Sequence, residues 1–445
     1  MASASAQSGT NNIRLVATAS TVGTTVEWYD FFLFNSMAAL VFNKLFFPQF
    51  DPVIGTLLAF TVSFVGFIAR PVGAVVFGHF GDRIGRKSML ILTLLIMGVA
   101  TFLIAFLPTY AQVGRGAAVL LLILRMLQGF GLGGEWGGAV LMSAEHAGER
   151  DRGFYASWPQ IGVPAGLALG TLVTAILTHA MSADAFLGYG WRIGFALSAL
   201  LVIIGIYIRM RIFETPLFQA VQQRNEVAAV PIAALLRGYG KNVLLGMGIR
   251  YIEGVGFNIY AVWVIAYMAG TLKYPRTDVL NAVTIAAVVM IFFIPYWSRL
   301  SDRIGRRKVF GAGVVATGIL AYPAFWLMQQ GVGYAWIAIA VPFGIAYAAI
   351  YGPEAALFSA LFDTRVRYTG ISLVYQFSGI FASGLTPIVA TALLLRGGGT
   401  PWLVAGYMVI VAAISLVCLM AMRRFYMPVP GEDAVIATEA AVGAG

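Results

Sequence analysis

Long apolar runs broken by short polar loops set the pattern of this chain. Twelve runs stand out, at about 18–43, 54–78, 88–107, 117–142, 154–178, 191–210, 243–268, 278–297, 309–328, 333–357, 369–394 and 402–422. Each is close to or above the roughly 20 residues that an α-helix needs to cross a bilayer. The stretch from Ser88 to Gly114 holds no charged residue at all. The runs lack the alternation of period two that a membrane barrel requires, so they predict helices. The longest polar segment, 211–242, contains Pro216 and Pro231 and falls between runs six and seven. The expected organisation is a cytoplasmic N-terminus (1–17), a six-helix bundle (18–210), a cytoplasmic linker (211–242), a second six-helix bundle (243–424) and a disordered tail (425–445).

Composition supports this. The 445 residues are 60% hydrophobic and 11% charged, against about 25% charged in soluble domains. The net charge of +10 would suit a nucleic-acid partner, but the positions of the basic residues argue otherwise. With both termini inside, 20 of the 29 Lys and Arg fall in cytoplasmic segments and 6 outside. That bias fixes orientation and accounts for the charge. No basic n-region precedes the first run, so that run is expected to serve as the insertion signal. A single cysteine, Cys418, excludes an intrachain disulfide, and the three scattered histidines argue against a metal site.

A charged hairpin occurs twice. Gly81-Asp82-Arg83-Ile84-Gly85-Arg86-Lys87 returns as Ser301-Asp302-Arg303-Ile304-Gly305-Arg306-Arg307, with Asp82 and Asp302 separated by 220 residues. Gln160 and Gln376 repeat at nearly the same offset, 216. The chain therefore reads as a duplicated membrane protein.

These residues resemble the major facilitator superfamily. The segment Gly78-His79-Phe80-Gly81-Asp82-Arg83-Ile84-Gly85-Arg86-Lys87 and its copy lie between spans two and three and between spans eight and nine. In the copy, Ser298 replaces the leading Gly. Arg125-Met126-Leu127-Gln128-Gly129 is similar to the superfamily's fourth-helix element. Glu27-Trp28-Tyr29-Asp30-Phe31, Arg70-Pro71, Gly133-Gly134-Glu135-Trp136-Gly137-Gly138 and Arg367-Tyr368-Thr369-Gly370 resemble the metabolite:proton symporters, whose members carry shikimate, α-ketoglutarate, citrate, or proline and betaine. The resemblance implies alternating access between two six-helix halves. It also implies a cytoplasmic gate made by Asp82, Arg83 and Arg86, with Asp302, Arg303 and Arg306 as counterpart and Glu145 or Arg367 as partners.

Seven ionisable residues fall well inside the spans: Glu27, Asp30, Arg70, Arg125, Glu135, Arg250 and Glu253. Each costs about 2.5–3.5 kcal/mol at mid-helix, so such residues normally face a cavity or a partner charge. Structural salt bridging is the bland alternative. Glu27 and Asp30 are three residues apart on one face, and two carboxyls so close cannot both ionise easily. Arg125 is a permanent cation and an anion receptor. Its expected partner is Glu135, in competition with a substrate carboxylate. Arg250 and Glu253 are spaced to pair with each other. The expected substrate-binding set is Arg70, Arg125, Gln128, Gln160, Arg250, Tyr251 and Gln376, and the expected proton-coupling set is Glu27, Asp30, Glu135 and Glu253. Gly129-Phe130-Gly131-Leu132-Gly133-Gly134 fits a dinucleotide fingerprint, but inside a span its glycines read as helix-packing residues.

The expectation is thus a membrane carrier and not an enzyme. It would import a small organic acid with protons, without cofactor or metal, as a monomer in the cell inner membrane. Zwitterionic osmolytes are the alternative substrates. A proton-driven exporter and a non-transporting sensor fit less well.

Overall fold

The computed structural model describes residues 2–50, 52–224, 230–423 and 425. The expected disordered tail lies almost wholly outside them. The described residues form helices and connecting turns without any strand. Twelve helices cross in sequence: α1 (Ala2–Met37), α2 (Pro52–Gly81), α3 (Arg86–Ile104), α4 (Gly116–His146), α5 (Trp158–Ala180), α6 (Trp191–Met210), α7 (Pro231–Thr271), α8 (Arg276–Ile304), α9 (Arg306–Met328), α10 (Val332–Ser359), α11 (Arg367–Arg396) and α12 (Trp402–Ala421). Among the described residues, eleven are long and apolar enough to cross a membrane. The remaining one is α1, whose apolar run is diluted by Glu27, Asp30 and a series of threonines.

Proline marks several of the boundaries. Pro231 occupies the first turn of α7, where its missing N–H costs nothing, so that helix starts well before the apolar run predicts. Pro216 does the same for a short linker helix, Pro216–Gln223, capped by Thr215, whose hydroxyl accepts from Phe218 N–H. The linker is docked. Glu214 accepts the backbone N–H of Lys87 at 3.1 Å, and the Phe218 ring lies 4.2 Å from the Arg86 guanidinium.

The glycines of α4 are explained by contact with α2. A Cβ on Gly133 would sit 2.2 Å from the Arg70 carbonyl oxygen, and one on Gly129 would sit 2.0 Å from that of Gly66. Only a residue without a side chain allows that approach, and it places Arg70 beside the charged stretch of α4.

Each repeated hairpin turns at a glycine with positive φ, Gly85 at 130° and Gly305 at 107°. That region penalises any residue with a Cβ. The next helix begins one residue later in both copies, at Arg86 and at Arg306.

Candidate functional site

The cytoplasmic ends of the two halves are joined through the hairpin aspartates. Asp82 accepts the backbone N–H groups of Tyr368 (3.2 Å) and Thr369 (2.9 Å) and the Thr369 hydroxyl (2.8 Å). These are the orphan donors at the start of α11, so Asp82 caps a helix of the opposite half. Asp302 does the equivalent, accepting Gly153 N–H at 2.8 Å and Phe154 N–H at 2.9 Å at the start of the short helix Arg152–Ala156. Arg86 and Arg306 lie 3.4 Å and 3.1 Å from their own hairpin's aspartate. Glu145 sits between Arg86 and Arg367, at 3.7 Å and 2.9 Å, and Arg86 also donates to the Thr364 carbonyl at 2.9 Å. Arg83 and Arg303 are exposed and take no part in these contacts. Their side chains leave the turn on its solvent side, so only the aspartate and the second arginine of each hairpin reach the junction.

Deeper in, two amides cross between the halves reciprocally. Gln160 on α5 donates to the Tyr351 carbonyl on α10 at 3.1 Å, and Gln376 on α11 donates to the Leu132 carbonyl on α4 at 3.3 Å. Gln160 also accepts from the Trp136 indole at 2.8 Å, and that ring stacks on Tyr375, centroids 3.8 Å apart. Both glutamines are engaged in this junction. Tyr251 points away from it, its hydroxyl 3.4 Å from that of Tyr407.

The charged residues divide into three groups. In the first, Asp30 accepts from Thr101 (2.9 Å) and closely from Ser198, Gln128 donates to Thr101 (2.6 Å), and Arg125 donates to Gln128 (3.1 Å). The Arg125 guanidinium lies over Phe34 at 4.1 Å and near Phe31 at 5.3 Å, with no carboxylate at ion-pair distance among the described residues.

In the second group Glu135 meets Arg209, in a close ion pair, and not Arg125. Arg209 sits in the last turn of α6, where the sequence counts it with the cytoplasmic charges. Helical side chains lean toward the N-terminus, so on a helix ending at the cytoplasm this one reaches back into the membrane. It also donates to the Leu90 carbonyl at 2.7 Å. Arg125 lies nearly three turns from Glu135 on the same helix, about 15 Å at 1.5 Å per residue, which is too far for the pair that the sequence suggests. Glu27 lies within side-chain hydrogen-bonding reach of Glu135. Oε2 of each residue lacks any donor among the described residues. A proton on either carboxyl would make it a donor to the other.

The third group lies in the second half. Arg250 contacts Glu253 at 3.1 Å, donates to Ser378 at 3.0 Å, and lies over the Tyr375 ring at 3.6 Å. Tyr347 donates to the other Glu253 oxygen at 2.8 Å. Glu354 joins this group, fully buried, although the sequence reading of charges inside the spans passes over it.

Arg70 stands between the groups. It is 8% exposed and makes no hydrogen bond and no ion pair among the described residues. Its guanidinium lies over Phe67 at 4.0 Å and near Phe31 at 5.4 Å. Glu27, Arg125 and Arg250 act on it electrostatically.

Comparison with known proteins agrees with this architecture. Residues 15–243 match the family described as "Sugar (and other) transporter" and residues 249–442 match "Major Facilitator Superfamily". The chain is 37% identical over 416 residues to the shikimate transporter of Escherichia coli (strain K12), covering 92% of this chain and 94% of that protein. It is 32% identical over 421 residues to the proline/betaine transporter of the same organism, covering 93% and 84%. Its backbone superposes on the proton:xylose symporter XylE bound to 6-bromo-6-deoxy-D-glucose with a TM-score of 0.77 at 17% identity, covering 93% and 96%. The chain belongs to the major facilitator superfamily and is a multi-pass membrane transporter, not an enzyme.

Proposed function

We propose that this transporter takes up a small organic acid together with protons. The observation that carries the reading is Arg70, a guanidinium buried among membrane helices that makes no ion pair among the described residues. An uncompensated charge in that position is costly, and a substrate carboxylate is a partner of the right sign and geometry. Arg125, equally without a carboxylate at contact distance among the described residues, offers a second cation across Phe31.

Glu27 supplies the coupling. Ionised, it compensates Arg70 and repels Glu135. Sharing a proton with Glu135, it leaves Arg70 open to the substrate anion and leaves Glu135 to Arg209. Proton and anion therefore bind favourably together, as symport requires. The relatives named for shikimate and for proline or betaine both act on carboxylates. The rings nearest Arg70, Phe31 and Phe67, already face guanidinium groups, which leaves little aromatic surface for a quaternary ammonium and favours the simple anion.

The test is binding of shikimate, with citrate, α-ketoglutarate, proline and betaine as comparisons, to purified protein across pH. Affinity of the wild type should rise as pH falls, and Glu27→Gln should bind at low-pH affinity throughout. In proteoliposomes the same variant should exchange substrate without responding to an imposed pH gradient. An unchanged pH dependence in Glu27→Gln would overturn the mechanism.

A further inference from the structure

Glu354 has no role in the scheme above, and its surroundings call for one. It is 0% exposed, and both of its carboxyl oxygens lack a hydrogen-bond partner among the described residues. The groups that act on it electrostatically are Arg250 and Glu253 from α7, Tyr347 and Tyr351 from its own helix, and Tyr375 from α11. Arg250 is the one cation in this set, and Glu253 already holds it at 3.1 Å. One guanidinium thus serves two buried carboxyls. The group is electrically neutral when one carboxyl carries a proton, and a bare second carboxylate would pay the full cost of an unpaired buried charge.

The same composition occurs in the first half. There Arg209 pairs with Glu135, and Glu27 is the extra carboxyl. The two arrangements are related by the internal repeat. Gly133-Gly134-Glu135 and Gly352-Pro353-Glu354 are 219 residues apart, as are the two carbonyls, Leu132 and Tyr351, that accept the reciprocal glutamine amides. Glu253 occupies on α7 the place that Glu27 has on α1. The extra carboxyl has changed helix. In the first half it stands on α1 and the paired one on α4, and in the second half it stands on α10 and the paired one on α7.

We propose that Glu354 is a second proton-binding site, loaded and emptied in alternation with Glu253 during transport. A proton taken up by a Glu253 oxygen breaks the Arg250–Glu253 ion pair, and release of the Glu354 proton leaves a carboxylate to which Arg250 turns. The proposal rests on the proton-coupled reading but adds a proton that the Glu27–Glu135 pair does not account for.

Two measurements on the full-length protein test it. Infrared difference spectra report the carbonyl stretch of a protonated carboxylic acid. That band should lose a component in Glu354→Gln. It should lose the same component in Glu253→Gln, where Glu354 would ionise to compensate Arg250, so the test survives if one variant does not fold. A band unchanged in both variants would overturn the proposal. In proteoliposomes, proton entry per shikimate, read with a trapped pH dye, should fall by one in Glu354→Gln. An unchanged ratio would make the Glu354 proton a fixed structural one and would also overturn the proposal. If Glu27→Gln loses coupling while Glu354→Gln keeps the wild-type ratio, only the second site fails. If neither variant alters coupling, the proton-coupled reading itself fails.

Discussion

Asp82→Asn should open the cytoplasmic face, and the structure sets the size of the effect. In the closed arrangement Asp82 accepts two backbone N–H groups and a hydroxyl, all from α11 in the other half. Hydrogen bonds to a charged group contribute about 1.5–3 kcal/mol each when isolated by mutation. A buried charge at a helix N-terminus contributes up to about 2 kcal/mol. Asparagine keeps one acceptor oxygen and turns an NH2 toward a donor, so not all of this disappears. A net loss of about 2–3 kcal/mol is expected, which moves the closed-to-open ratio by about 30- to 150-fold at 1.4 kcal/mol per factor of ten. Asp302 has two such donors and is less buried. Asp302→Asn should therefore shift the ratio by about 5- to 30-fold, for a loss of about 1–2 kcal/mol.

The assay follows from the two hairpin arginines that take no part in the junction. Arg83 and Arg303 are exposed, one on each half, so cysteines there can carry spin labels in a Cys418→Ser background. Pulsed electron–electron distance measurements should show a dominant short separation in the parent and a longer one in Asp82→Asn. A distance distribution that Asp82→Asn leaves unchanged would refute the latch. A larger shift for Asp302→Asn than for Asp82→Asn would refute the ranking by donor number and burial.

Three further outcomes are expected. Arg70→Lys keeps the charge but loses the planar fork, so shikimate uptake should fall at least about tenfold, roughly 1.4 kcal/mol; wild-type uptake would remove Arg70 from the anion site. Gly133→Ala places a Cβ 2.2 Å from the Arg70 carbonyl oxygen and 2.6 Å from the Ala74 nitrogen. Overpacking of that kind costs about 1–3 kcal/mol, so thermal unfolding in detergent should occur several degrees lower, and an unaltered melting curve would show that α2 and α4 can separate freely. Gln160→Ala and Gln376→Ala each remove one cross-half hydrogen bond, about 0.5–1.5 kcal/mol. The two should therefore raise the open fraction by similar factors, about two- to tenfold, in the same spin-label assay, and a strong inequality between them would contradict their equivalence.

Helix number, orientation and the duplicated plan are legible in the sequence because the bilayer imposes them. A span must be about 20 residues long and apolar, and its flanking lysines and arginines choose the side. The hairpin aspartates are legible for a related reason. They stand at a turn that only Gly85 or Gly305 can make, so the motif fixes the backbone as well as the charge. The docked linker is not legible. Proline and polar residues in 211–230 announce a connection, but whether Glu214 finds the start of α3 depends on where that helix end lies in space.

Ion-pair partners were harder to read, for a reason that the Glu135 case exposes. Sequence places a residue along a helix and around its axis, but it does not say which helix lies opposite. Arg125 shares a helix with Glu135, yet Arg209, from a helix two crossings away in the chain, is the group within reach. Depth is equally hard to read from position along a helix. Arg209 lies in a terminal turn, and only the backward lean of helical side chains carries it inward. The one signal that could have corrected the list of buried charges was the repeat. Moving Glu135 by the hairpin offset of 220 arrives at Ala355, one residue from Glu354. In a duplicated membrane protein an ionisable residue deep in one half directs attention to the corresponding turn of the other. The burden of burying a carboxyl is the same in both halves, so a copy that persists there needs an equivalent partner. Here the cation that acts on the copy is Arg250, which Glu253 already holds and which comes from a different helix of its bundle than Arg209 does in the first.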